Sequence, residues 1–175
     1  MPARILLMSG LLALTLWLAG TTVVAAGVVA RELPGGDAIE LEVPTDIGPQ
    51  KDRIPLYHSG SIRYFSAGIG QVERDAAYPP FSLKLVFTAG GKPFVTGVTV
   101  SIHDAKRNTI LTIPGEQNSG PWLFIDLPDG VYGITATLGG QAQQAKDITI
   151  RKGHVTVQHM RWTKDRSPSR ATVDE

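Results

Sequence analysis

From Phe81 onward, apolar residues recur at every second position, and this constrains the fold more than any other feature of the chain. Phe81, Leu83, Leu85 and Phe87 interleave with Ser82, Lys84 and Val86. Val98, Val100 and Ile102 alternate with Thr99, Ser101 and His103, and Tyr132, Ile134, Ala136 and Leu138 with Val131, Gly133, Thr135 and Thr137. Successive side chains of a strand point to opposite faces, so each set predicts a strand with a buried face. Further strands are read at Thr109–Ile113 and Trp122–Leu127, in a segment ending Ile148-Thr149-Ile150, and from His154 to Trp162. Turns are supplied by Gly90-Gly91, Ala105–Asn108, Pro114–Pro121, Pro128-Asp129-Gly130, Gly139-Gly140 and Lys152-Gly153. Seven short strands over residues 81–162, spaced by turns, predict an all-β fold, an antiparallel sandwich. No helix-length connection separates them, which argues against parallel pairing.

The segment before this region reads differently. Residues 27–60 hold Pro34-Gly35-Gly36, Pro44, Gly48-Pro49 and Pro55 and are expected to be loosely built. One alternation, Ile39-Glu40-Leu41-Glu42-Val43, predicts an edge strand ended by Pro44. Residues 61–80 form a strand and helix lead-in: Gly68 and Gly70 break the chain, Gln71–Ala77 suits two helical turns, and Pro79-Pro80 ends them. From Thr163 to Glu175 the sequence is charged, contains Ser and Pro, and reads as a disordered tail.

The N-terminus suggests export. After Arg4, Ile5–Ala26 carries no charge and closes on the small residues Val24-Ala25-Ala26, the pattern of a secretory signal peptide over residues 1–26. The alternative is an uncleaved anchor over residues 5–26, since about 20 apolar residues span a bilayer. The expected location is periplasmic or secreted, or anchored to the inner membrane if the segment is retained. The whole chain has 17 Lys and Arg against 16 Asp and Glu, and removal of Arg4 brings the two to parity. Net charge therefore gives no pull toward nucleic acid or an anionic membrane. The chain has no cysteine, so disulfides and thiolate metal sites are excluded and a packed core must carry stability.

The stretch Gly120–Gly140, GPWLFIDLPDGVYGITATLGG, places an aromatic before Leu-Pro-x-Gly-x-Tyr and a run of alternating small and apolar residues. With the upstream FTAGGKPFVTGVTVSIHDAKRNTIL it resembles the carboxypeptidase regulatory-like, or prealbumin-like, sandwich domains. The resemblance covers about residues 81–162, with Phe124, Leu127, Gly130 and Tyr132 at the matching places. It implies a seven-stranded Greek-key sandwich in which Tyr132 packs inward, here with a short helix before it. The layout also resembles small exported bacterial proteins of unknown function, in which a Tyr-x-Ser-x-Gly-x-Gly segment and a short charged helix precede the sandwich. Tyr64, Ser66, Gly68, Gly70, Glu73 and Arg74 match that pattern.

No catalytic constellation emerges. The four histidines, His58, His103, His154 and His159, stand in no H-x-x-E or H-E-x-x-H context, and the chain ends ATVDE instead of the Tyr-Arg-Gly-Ser of prealbumin-like hydroxyisourate hydrolases. Neither a G-x-S-x-G elbow nor a phosphate loop is present. The carboxylate pairs suit other tasks: Glu40 and Glu42 a solvated strand face, Asp126 and Asp129 the flanks of a turn. No cofactor or metal is expected. The reading is a non-enzymatic envelope module whose partner is an envelope protein or a glycan, not nucleic acid, and a membrane only if the leader is retained; carbohydrate binding is the first alternative, and a hydrolase with a site that no motif reveals is the second. The candidate ligand surface is the Pro114–Pro121 loop, where Gln117 and Asn118 offer hydrogen bonds and Trp122 a stacking face. Burial of Trp122 and Trp162 separates the sugar-binding reading from core packing.

Overall fold

The computed structural model describes residues 27–90 and 94–163. The expected leader over 1–26, Gly91 of the Gly90-Gly91 turn, and the tail from residue 164 lie outside the described residues.

The chain is mostly β. In order it forms β1 (Val29–Glu32), β2 (Ala38–Val43), β3 (Gln50–Pro55), β4 (Tyr57–Ser59), β5 (Ile62–Ala67), the helix α1 (Gln71–Asp75), β6 (Leu83–Ala89), β7 (Thr99–His103), β8 (Thr109–Ile113), β9 (Trp122–Asp126), β10 (Gly130–Leu138), β11 (Gln141–Ile150) and β12 (Thr156–Trp162). A four-stranded sheet, β11-β10-β7-β8, and a five-stranded sheet, β12-β6-β9-β5-β4, share one apolar core. Leu83, Leu85 and Phe87 meet Val100, Ile102, Ile134 and Ala136 there, as the period of two requires. Tyr132 is buried in this core, and its hydroxyl donates to Pro128 O at 2.9 Å.

Three expectations need correction. Residues 27–60 are not loose: β1, β2 and β3 form an antiparallel sheet in which Ile39–Val43 belongs to the central strand, not an edge. Leu33–Gly36 turns the chain between β1 and β2, with Gly36 at φ 67°, a conformation open to glycine at little cost. Second, the five-stranded sheet is completed from before residue 81, because β5 pairs with β9 over five residues, from Arg63–Asp126 to Ala67–Trp122. Third, β12 runs parallel to β6, from Thr156–Leu83 to Trp162–Ala89. The chain changes sheets between β11 and β12, so it reaches a parallel neighbour without a helical crossover.

The three-stranded sheet gives the molecule a third layer. Its Ala30, Ile39, Leu41 and Ile54 cover the outer face of the five-stranded sheet, where Phe65, Phe81 and Phe124 form a second apolar cluster. Phe65 stacks on Phe124 at 4.6 Å between centroids and meets Phe81 edge-on at 4.9 Å. The far face of the three-stranded sheet is charged: Glu40 pairs with Lys51 and Glu42 with Arg31. Arg63 bridges the layers, binding Glu32 of β1 and Asp126 of β9, both at 2.7 Å. Of the carboxylates weighed as pairs in the sequence, Glu40, Glu42 and Asp126 are thus each engaged by a cation.

Candidate functional site

The pleat that sends Leu83 and Leu85 into the core sends Lys84 to the opposite face of β6. On β9, Leu123 and Ile125 face the core, and Trp122 and Phe124 face outward beside Lys84. The three-stranded sheet covers only part of this outer face. Beyond it lies a cleft of about 310 Å³ lined by Arg74, Tyr78, Pro79, Pro80, Lys84 and Trp122, with Ala76, Phe81, Phe124 and Val155. The rigid Pro79-Pro80 link carries the chain across the sheet from α1 to β6 and forms one wall.

Lys84 is the central group. Its Nζ lies 3.5 Å from the centroid of the Trp122 ring and 5.2 Å from that of Phe124, within cation–π range. It makes no ion pair or hydrogen bond with the described residues. Burial pulls its pKa below the ordinary lysine value. Arg74 is the second cation: its guanidinium donates to Gly68 O and Ile69 O and lies 5.6 Å from the centroid of Phe94. Tyr78 stacks obliquely against Phe65 and Phe124, and its buried hydroxyl has no partner among the described residues. Burial pushes its phenol well above the usual tyrosine range, with Glu73 and Asp52 adding to the shift. No Asp or Glu lines the cleft. The nearest helical carboxylate, Glu73, accepts hydrogen bonds from Gly68 N–H and Ile69 N–H at 2.6 and 3.1 Å.

The residues singled out from sequence fare unequally. Trp122 does line the cleft, half-buried, but its faces are taken. Gly68 approaches from the β5 side so closely that a Cβ there would stand 3.0 Å from the indole, and Lys84 lies over the ring from the β6 side. Only part of the ring remains for a ligand, so the open stacking face expected for a sugar is corrected to a rim contact. Asn118 is not a surface donor: it is fully buried, Nδ2 donates to Val98 O at 2.9 Å, and Oδ1 accepts from Ser66 Oγ at 3.0 Å. Gln117 is half-buried and accepts from the Tyr64 hydroxyl at 2.8 Å. The Pro114–Pro121 loop is thus a packed connection pinned to β5 and to the Gly97–Val98 segment that leads into β7. Asn118→Ala is expected to cost about 1–3 kcal/mol, because it leaves Val98 O without its partner. Urea unfolding measures this, with ligand binding at the cleft unchanged. Trp162 is 1% exposed and belongs to the core.

A larger cavity, about 590 Å³, lies on the outer face of the four-stranded sheet between His103, Arg107, Thr135, Lys146 and Asp147. It opens where a bulge between Tyr132 and Ile134 breaks the β10–β11 register. Its half-buried polar groups are already engaged. The His103 ring nitrogens face the hydroxyls of Thr109 and Thr135 at 3.2 and 3.4 Å. Asp104 accepts from Lys106 N–H, Asn108 N–H and Asn108 Nδ2. The smaller cleft is the better candidate, because its unpartnered cation Lys84 is half-buried, whereas Arg107 and Lys146 of the larger cavity are exposed to water. Among the described residues no group of three or more His, Asp or Glu side chains could hold a metal ion.

Lys84 and Tyr78 escaped the sequence reading as site residues, and Arg74 entered it only as part of a motif, with no place in a site. Lys84 looked like one more solvent-facing position of an alternating strand, and nothing local shows that its face is covered. No protein-family model, curated protein or solved structure matches the chain.

Proposed function

We propose that this chain is an exported, non-enzymatic module of the cell envelope, a Greek-key sandwich like the carboxypeptidase regulatory-like domains, that binds an anionic group in the Lys84–Trp122 cleft. The observation that carries the reading is the half-buried ammonium of Lys84, held over two aromatic rings in a cleft without a carboxylate. A buried cation is costly unless paired, and a ligand anion supplies the missing partner. The apolar run Ile5–Ala26 and its small-residue end support the compartment. A glycan is the second reading, favoured by the part of Trp122 that reaches the cleft.

Lys84 lies on the Trp122 ring, so ligand capture should change tryptophan emission. The chain starting at Gly27, which retains every described residue, is titrated with inorganic phosphate, glycerol phosphate, and neutral and acidic polysaccharides. Anions are expected to shift the emission, and Lys84→Gln to weaken binding roughly ten- to hundredfold, the worth of a charge-assisted contact. If no anion shifts the emission, the reading fails. If a neutral polysaccharide binds and Lys84→Gln leaves that binding intact, the glycan reading replaces it.

A further inference from the structure

We infer that the face around this cleft docks on an anionic membrane surface, with a phospholipid phosphate as the group taken between Lys84 and Arg74. The inference rests on the anionic-cleft reading above and names the source of the anion.

The first argument is where the chain enters the fold. Val28–Ala30 runs beside Ala77: Ala77 N–H donates to Val28 O at 3.0 Å and Ala30 N–H to Ala77 O at 3.1 Å. Ala76 and Tyr78, on either side of Ala77, line the cleft. The uncharged run Ile5–Ala26 ends two residues before Val28. Where that run is retained as an anchor, it brings the rim of the cleft close to the same bilayer.

The second is the distribution of exposed apolar side chains. Nine large ones are exposed among the described residues, and five of them lie on segments that frame the cleft: Ile69, Val72, Phe94, Val155 and Val157. Ile69 and Val72 flank the start of α1, Phe94 lies under Arg74, and Val157 pairs with Lys84. Val131 is the exposed apolar residue of β10 on the opposite sheet, whose neighbouring outward positions include Ser101 and Thr135.

Charge is the third argument. The cleft offers Lys84 and Arg74, and Arg161 lies exposed on β12, two residues after His159. The carboxylates of α1 keep their charge but sit in local bonds at the rim, Glu73 accepting from Gly68 and Ile69 N–H and Asp75 from Gln71 Nε2, and none lines the cleft. Within a chain near electrical neutrality the cleft itself is thus basic and framed by apolar side chains, which is how peripheral proteins meet anionic lipid. Among the described residues no helix is long and apolar enough to cross a membrane.

The test is sedimentation of the chain starting at Gly27 with vesicles of phosphatidylglycerol and phosphatidylcholine in equal parts, against phosphatidylcholine alone, with glycerol phosphate titrated in parallel. Binding is expected only to the anionic vesicles. Lys84→Gln and the double variant Val72→Asp/Phe94→Asp should each reduce it about tenfold or more, a loss of the size of one charge-assisted contact. Val131→Asp, on the opposite sheet, should leave it unchanged. Far-ultraviolet circular dichroism confirms that each variant is folded. If glycerol phosphate binds but vesicles do not, docking is wrong and the anionic cleft stands; if neither binds, both fall. Equal binding to neutral vesicles, undiminished binding by the double variant, or stronger capture of an acidic polysaccharide than of vesicles overturns the inference.

Discussion

A chain cut to residues 81–163 is expected not to fold cooperatively, although it contains seven of the twelve strands. The cut removes β5 from beside β9, exposing the backbone edge of a strand that is paired on both sides in the whole molecule. It also takes Ile62 and Tyr64 from the main core, and Ser66, whose hydroxyl accepts from Gly120 N–H at 2.8 Å and donates to Asn118 Oδ1. The Pro114–Pro121 loop then loses its support. On the outer face, Phe81 and Phe124 lose Phe65 and the whole covering sheet. Burial of a large apolar side chain contributes about 1.5–3 kcal/mol, and domains are stable by only ~5–15 kcal/mol, so losing several at once removes the margin. Urea titration followed by circular dichroism should show no sigmoidal transition for 81–163. A chain from Tyr57 onward, which restores β4 and β5 but not β1–β3, should fold with much reduced stability. A sharp transition for the shorter chain would make the N-terminal layers accessory.

These dependencies also mark what was legible in the sequence. Strands with one face in the core and one in solvent kept their period: β7 and β10 follow the alternation residue by residue. The period fails as a guide where both faces are covered. In β9, Trp122-Leu123-Phe124-Ile125 is one apolar run because Leu123 and Ile125 serve the first core and Phe124 the second. At the other extreme, β3 reads as polar linker because Ile54 is its only buried residue. Prolines and glycines there signalled looseness, yet they sit at hairpin turns and strand ends, where they suit an ordered sheet. The parallel β12–β6 pair was hidden for a topological reason: the rule linking parallel pairing to helical crossovers assumes that consecutive strands stay in one sheet.

The site was less legible than the fold. Trp122 drew attention as an aromatic at a strand end, and the cleft does include it. Asn118 and Gln117 drew attention as polar residues in a Gly/Ser loop, and both turned out to satisfy neighbouring strands. Composition cannot separate a loop amide that waits for a ligand from one that completes a buried network. Lys84 is the converse case, since its half-burial arises from Trp122 and Phe124, on a strand far along the chain, and from the Tyr78–Pro80 link, none of which the local alternation reveals.

Trp162→Ala is expected to destabilise the protein by about 3–5 kcal/mol, the range for truncating a large buried aromatic. Trp162 closes β12, packs with Phe87 at 6.3 Å between centroids, and its Nε1–H donates to Gln141 O at 2.9 Å. That hydrogen bond joins the five-stranded sheet to the first residue of β11 in the four-stranded one, so the side chain both fills the core and ties the two sheets together. The two contributions are separable. Trp162→Phe keeps much of the volume and loses the bond, so it should cost less than the alanine variant and leave Gln141 O to water or unpaired. Denaturant midpoints for the pair, at unchanged slope, measure the difference. Ligand capture is a second readout. Trp122 lies on the opposite face of the five-stranded sheet, so folded Trp162→Phe should bind anions as the parent chain does, with Trp122 reporting the titration. Loss of anion binding in this folded variant would connect the core to the cleft and place the binding surface elsewhere than the outer face of β6 and β9.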